Sequence, residues 1–207
     1  YDIWECPPNG QGVIALMLLN IMSGVDKYGD HPLSLDRIHH EIEAGRITYR
    51  DRNLYLADPE FSAVPVDQML STNYAAAIRE QINPEKAYCE LPITTLPKHK
   101  HTVYISVVDK DRNACSFINT VFHSFGAGLM APKSGIVLQC RGQGFVVDPG
   151  HPNCIAPGKR PLHTIIPGIA TKDGKTVMSF GVMGGEYQAF GHMQFLTRLF
   201  DYGMDIQ

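Results

Sequence analysis

The chain has 207 residues, 44% hydrophobic and 19% charged, with 18 lysines and arginines against 21 acidic residues and a net charge of −3. That balance fits a globular protein with one large core, or one domain plus part of another. It excludes the basic footprint of a nucleic-acid binder, and no apolar run approaches the roughly 20 residues that a membrane-spanning helix needs.

The order of elements reads as helices, then an antiparallel sheet, then a helix. Residues 1–11 have strand character up to the turn Pro7-Pro8-Asn9-Gly10. Residues 12–23 are apolar on all sides, as in a buried helix, with Gly24 as its C-terminal cap. Ser34 is an N-cap for a helix to about residue 54, carrying Ile38, Ile42, Ile47 and Tyr49 as an imperfect apolar stripe. After a connector at 64–67, residues 72–82 form a short helix ended by Asn83-Pro84. Residues 88–101 lack periodicity and hold two prolines and several polar residues, which predicts an exposed segment. Strands are expected at 102–108, 114–122, 135–138, 163–170 and 176–182, with tight turns at 109–113 and 171–175. A last helix runs from 187 to 202 and ends at Gly203.

The five cysteines (Cys6, Cys89, Cys115, Cys140, Cys154) are odd in number and form no CxxC pair. They are expected as mostly buried free thiols, which leans towards a reducing, cytoplasmic compartment, with the periplasm as the alternative. The chain lacks an initiator Met, opens in strand-like sequence and ends just past Gly203, so it reads as an internal fragment.

Three places can carry chemistry. Thr102 heads a β-rich run directly after an accessible loop. A threonine there is a useful nucleophile if the bond before it is cut, because its own α-amine then serves as base. That amine titrates near 8, so it can be neutral near physiological pH. The alternative is an ordinary strand threonine. Gly184 and Gly185 stand between a strand and a helix, where backbone N–H groups can face an oxyanion, or merely allow a tight turn. Arg141, among glycines at 141–144, can clamp a carboxylate or lie on the surface. Other candidates fail on spacing. Gly142 and Gly144 lack the third glycine of a dinucleotide loop, and Gly158-Lys159 lacks the phosphate-loop spacing. His39-His40-Glu41 reads as a solvated helix face, and His151 with Cys154 is one pair short of a metal site. Cys115 near His123 reads as a strand cysteine rather than half of a dyad. No cofactor or metal is expected.

Taken together, several stretches resemble the γ-glutamyltranspeptidase family over nearly the whole chain. They are Pro7-Pro8-Asn9-Gly10-Gln11-Gly12, Tyr49-Arg50-Asp51-Arg52, Ala57-Asp58-Pro59-Glu60-Phe61, Thr102 with Ser106-Val107-Val108-Asp109-Lys110-Asp111 and Asn113, Phe125-Gly126-Ala127-Gly128, Ser134-Gly135-Ile136, Gly158-Lys159-Arg160-Pro161-Leu162 and Gly184-Gly185. The resemblance implies an α+β fold, part of the four-layer αββα sandwich of N-terminal nucleophile (Ntn) hydrolases. It implies that residues 1–101 are the C-terminal part of a large-subunit region and 102–207 most of a small-subunit region. It also implies self-cleavage at His101–Thr102, with Thr102 as nucleophile and base, Thr120 hydrogen-bonded to it, and Gly184 and Gly185 as the oxyanion hole. The expected partners are a small-molecule amide substrate and the chain's own two subunits, which can pair as a dimer, with neither nucleic acid nor a membrane span.

The departures lie in the acyl-group pocket. The asparagine that helps hold a γ-glutamyl group aligns with Phe122, and Asn119 is one strand step away. The aspartate that pairs with the substrate ammonium is Gly144, Arg141 replaces a glutamine, and the serine pair that holds the α-carboxylate is His163-Thr164. The leading expectation is an amidohydrolase or acyltransferase cleaving γ-glutamyl, glutathione-like amides. The alternatives are a glutaryl or cephalosporin-type acylase on the same scaffold, with Arg141 on a terminal carboxylate, and a non-catalytic binding relative.

Overall fold

The computed structural model describes residues 1–25, 31–87 and 102–206. The first helix, α1 (Gly12–Ser23), follows the short strand β1 (Asp2–Trp4). Val13, Ile14, Met17, Leu18, Ile21 and Met22 are all buried, so α1 is the axis of the core. Burying each such side chain contributes about 1.5–3 kcal/mol before chain entropy is charged against it. Gly24 caps α1 through its N–H, donated to Ile21 O and Met22 O, but at φ −97 it needs no left-handed freedom. The lack of a side chain matters for another reason. A Cβ on Gly24 would strike the Arg79 guanidinium, which donates to Asn20 O at 3.0 Å and Ile21 O at 3.2 Å. A cation thus closes the negative end of the helix.

Helix α2 (Leu35–Tyr55) starts where Ser34 Oγ accepts from Arg37 N at 3.3 Å. Its buried face is polar: Arg37, His40, Glu41, Thr48, Asp51 and Arg52 lie inside with Ala44 and Ile47, while Ile42 is exposed. The expected solvated face at His39-His40-Glu41 is therefore corrected. Glu41 is buried because Arg37 Nε donates to it at 2.9 Å, and Gln194 donates to its other oxygen at 3.0 Å. A short helix, α3 (Val66–Met69), and then α4 (Thr72–Gln81), capped by Ser71, complete this side.

Two antiparallel sheets follow. Strands β2 (Val103–Val108) and β3 (Ala114–Asn119) form a hairpin, and β4 (Gly168–Lys172) with β5 (Lys175–Phe180) extends β1 into the order β1-β4-β5. The strand expected at 135–138 is absent as a named strand. Only an isolated bridge, Met130 with Val137, remains there, because the segment folds into turns with positive φ at Gly126, Gly128 and Gly135. Helix α5 (Tyr187–Phe200) packs Ala189 and Met193 into the core built on α1. Helices thus cover the β1-β4-β5 sheet while the hairpin lies against β5, an α+β architecture. The regions 1–101 and 102–207 interlock, since β1 pairs with β4 and the chain at Gly10 bridges His163.

The cysteines differ from expectation: Cys115 is exposed, and Cys6, Cys140 and Cys154 are half-buried free thiols. Cys89 lies outside the described residues. Among the described residues no helix is long and apolar enough to cross a membrane, and no cluster of metal-binding side chains occurs.

One clasp fixes the loop that leads into the site. Arg160 Nη2 donates to Asp58 Oδ1 at 2.7 Å, and Arg160 N and Nε donate to Oδ2 at 2.8 and 3.1 Å. These bonds hold the Asp58 carboxyl well below the usual carboxylate range. A depressed folded-state pKa contributes stability above the unfolded value, near 4, which is lost as pH falls below it. Asp58→Asn should lower the thermal midpoint at pH 7 and weaken the loss of stability between pH 4 and pH 2. Thermal melts of both proteins across that range check this.

Candidate active site

The β2–β3 register pairs Val103 with Asn119 and Tyr104 with Ile118, so one further step sets Thr102 opposite Thr120. Alternation puts Thr102, Tyr104, Ile118 and Thr120 on one face of the hairpin. That face is turned inward: Ile118 is buried and the other three are half-buried. Asn119 is on the opposite, exposed face with Val103 and Phe117. Asn119 thus faces away from the Thr102 side, because a single-residue step on a strand reverses the side chain. His101 lies outside the described residues.

The hairpin is locked to β5. Tyr104 OH bonds Ser179 Oγ at 2.7 Å and Ser116 Oγ at 3.1 Å, while Ser116 Oγ donates to Phe180 O at 3.2 Å. Ser179 Oγ reaches Cys115 O at 3.5 Å. The two β3–β5 contacts step in the same direction along both strands. They point the Thr102–Thr120 end of the hairpin towards the turn after β5. A Cβ on Gly181 would overlap the Tyr104 ring, so this approach needs glycine.

In that turn Gly184 has φ 132 and Gly185 φ 58, both left-handed-side values that favour glycine. Gly184 O accepts from Tyr187 N at 3.2 Å, and Gly185 O from Gln188 N at 3.2 Å. The N–H groups of Gly184 and Gly185 have no acceptor among the described residues. Two free amides at a helix start can receive negative charge.

A buried cation lies next to Phe122. Arg141 begins a 3-10 turn (Arg141–Gly144), is 9% exposed, and lies 3.8 Å over the Phe122 ring. Its Nη1 donates to Thr164 Oγ1 at 3.2 Å. Among the described residues it forms no ion pair. Burial pulls its pKa down to about 10, which leaves it charged at neutral pH. Phe122 sits at φ 78, with its N–H donated to Thr120 Oγ1 at 3.0 Å, so the ring under Arg141 is tied to the residue across from Thr102. Gly144 has no room for a side chain, since a Cβ would lie 2.5 Å from Leu162 O. His163 is pushed down to about 4, first by burial and then by Arg141 and Arg160, so it is neutral at physiological pH. Its Nδ1 accepts from Ile165 N at 3.2 Å and its ring packs on Gly10, so it braces the backbone more than it faces a ligand.

Sequence reasoning missed the residues that join these parts. Gln11 Nε2 donates to Gly185 O at 3.0 Å and Thr164 O at 3.3 Å, and Gln11 Oε1 accepts from Arg52 Nη1 at 2.8 Å. Arg52 also pairs with Glu186, and Tyr49 OH donates to Glu186 O. Asn153 Nδ2 donates to Gly144 O at 2.6 Å, and its Oδ1 accepts from Leu162 N at 3.0 Å. Gln11 and Arg52 lie within the family-like motifs, but nothing in the sequence marks them as partners of each other.

Such a scaffold carries a hydroxyl at a strand head, a pair of glycine amides without an acceptor among the described residues, and a buried cation. The sequence matches the gamma-glutamyltranspeptidase family over residues 1–207, and the chain belongs to that family. It is 36% identical over 207 residues to the glutathione hydrolase-like YwrD proenzyme of Bacillus subtilis (strain 168), covering 100% of this chain and 39% of that protein. It is 39% identical to the glutathione hydrolase proenzyme of Pseudomonas sp. (strain A14), covering 97% of this chain and 37% of that protein. The crystal structure of a cephalosporin acylase from Bacillus halodurans superposes with a TM-score of 0.89 at 42% identity, covering 99% of this chain and 37% of that one. The chain thus spans less than two fifths of the length of these relatives, and the likeness to the acylase carries the Ntn-hydrolase fold.

Gly184→Ala should lower kcat about 100-fold, because a side chain at φ 132 forces the turn to move its amides. Steady-state kinetics on the complete protein, with circular dichroism to verify folding, check this.

Proposed function

We propose that the protein is a self-processing amidohydrolase or acyltransferase that works through an acyl-enzyme on Thr102. The observation that carries this reading is the β2–β3 register, which, continued one step past Val103 and Asn119, sets Thr102 opposite Thr120 on the half-buried side of the hairpin. The Gly184 and Gly185 N–H groups, with no acceptor among the described residues, support it. Cleavage at His101–Thr102 would divide the chain into its two regions, 1–101 and 102–207, and free the Thr102 amine. The neutral amine takes the hydroxyl proton as Thr102 Oγ1 attacks the substrate carbonyl. The Gly184 and Gly185 N–H groups receive the oxyanion. Collapse expels the amine product, which leaves with the proton held by the Thr102 ammonium. Water, or an acceptor amine, then attacks the ester with Thr102's amine again as base.

For the acyl group, family membership supports a γ-glutamyl, glutathione-like amide. A second reading, a glutaryl or cephalosporin-type acyl group, is favoured by one observation. Arg141 is a buried guanidinium that forms no ion pair among the described residues, Glu186 acting on it only from a distance, and Gly144 next to it leaves no place for an acidic side chain. An anion alone complements that charge, whereas a substrate ammonium there would lack a partner at a cost of several kcal/mol.

Denaturing mass spectrometry of the complete protein should give two fragments that separate before Thr102, and one intact, inactive chain for Thr102→Ala. A single intact wild-type chain indistinguishable from Thr102→Ala sinks the enzyme reading in favour of a binding relative. On the acyl side, glutaryl-p-nitroanilide should turn over at least as fast as γ-glutamyl-p-nitroanilide if Arg141 sets the preference, and Arg141→Met should remove the glutaryl advantage. Much faster γ-glutamyl turnover would select the first reading.

A further inference from the structure

We propose that Gln11 is a positioning residue that sets the oxyanion turn and the acyl pocket together. The proposal rests on the amidohydrolase reading of the same site. Gln11 occupies the N-cap of α1, yet its side chain makes no capping bond and is completely buried. It is turned inward instead. Arginine can only donate, so Arg52 Nη1 requires the Gln11 carbonyl oxygen to face it, and the amide nitrogen is thereby aimed at Gly185 O and Thr164 O. The orientation of the amide follows from its partners.

What Gln11 holds is the part of the turn with least stiffness of its own. Two adjacent glycines explore wide backbone space, so their peptide planes need an outside restraint. Tyr187 N holds the Gly184 carbonyl at 3.2 Å, and Gln11 joins Gln188 N on the Gly185 carbonyl. In a trans peptide the C=O and N–H point in opposite directions. Drawing the Gly184 carbonyl inward therefore turns the Gly185 N–H outward, and fixing the Gly185 carbonyl keeps the following peptide from rotating it back. The other bond of Gln11 holds the Thr164 backbone, whose hydroxyl receives Arg141. A continuous set of contacts then runs from Thr120 Oγ1 through Phe122, Arg141, Thr164 and Gln11 to Gly185. Arg52, anchored to Glu186 at the start of α5, holds the Gln11 end.

The test uses the complete protein and whichever acyl-p-nitroanilide the wild type turns over, with kcat expressed per active site counted by the acyl-enzyme burst. Gln11→Met removes both donor and acceptor at similar length. Gln11→Glu keeps an oxygen for Arg52 but loses the donor. Both should lower kcat about 10- to 100-fold, as loss of oxyanion alignment does, while KM stays within about threefold. If neither variant folds, Gln11→Asn is read instead. It keeps the amide but is one methylene short of the two carbonyls, and should show the same loss of kcat. A kcat per site within twofold of wild type, with only the thermal midpoint lowered, overturns the proposal and leaves Gln11 as structural support. A wild type that neither turns over nor acylates Thr102 overturns this proposal and the amidohydrolase reading together. An active wild type with an unchanged variant kcat removes this proposal alone.

Discussion

The bond from Arg52 to Gln11 is the interaction on which the arrangement of the site depends. It lies at the meeting point of α1, α2, the start of α5 and the strand-like segment at 163–165. Each of these elements would pack acceptably on its apolar contacts alone, because hydrophobic burial is non-directional. Such packing leaves the rotation of a glycine pair and the height of a neighbouring backbone undetermined. A buried amide whose oxygen accepts once and whose nitrogen donates twice removes that freedom, since leaving any of these groups unpaired would cost about 1–3 kcal/mol.

That requirement also accounts for α2. Its inner face reads as solvent-facing by residue type, yet Arg37, Glu41, Asp51 and Arg52 are nearly inaccessible. They tolerate burial because each finds a partner: Arg37 with Glu41, Asp51 with Arg50 and the Tyr74 hydroxyl, Arg52 with Gln11 and Glu186. Buried pairs of this kind are weak evidence for stability but strong constraints on geometry, because removing one partner strands the other charge. Here the constraint is spent near the proposed chemistry.

The surroundings of Arg141, the proposed acyl site, show the opposite balance. Arg141 has an aromatic face beneath it and a hydroxyl beside it, but forms no ion pair among the described residues. The loop that shapes this region is held by Asp58 on Arg160 and by Asn153 on Gly144 and Leu162. Burial first, and then the charges of Arg141 and Arg160, keep His163 neutral. The charge that would complement Arg141 belongs to a ligand in either reading of the substrate.

Much of the framework was legible in the residues. The uniform apolarity of 12–23 determined a buried α1, Ser34 marked the start of α2, and the turns at 109–113 and 171–175 followed from Asp, Asn and Gly. Motif order singled out Thr102, Thr120, Gly184, Gly185 and Arg141, because local chemistry and spacing are properties of the chain itself. The tertiary structure decided which faces matter. Strand β2 alternates Val103, Ile105 and Val107 with Thr102, Tyr104 and Ser106, and the usual reading would turn the valines inward. Instead the row carrying Thr102 and Tyr104 meets β5, because the Tyr104, Ser116 and Ser179 hydroxyls bond there, and Asn119 goes outward with the valines. Residues 135–138 have strand composition, but their backbone-to-backbone bonds go only to the turn-rich segment 127–131, so a single bridge forms in place of a strand. Gln11 and Arg52 carry no sign of their role in sequence, since a hydrogen bond between residues 41 positions apart exists only once α1 and α2 are packed.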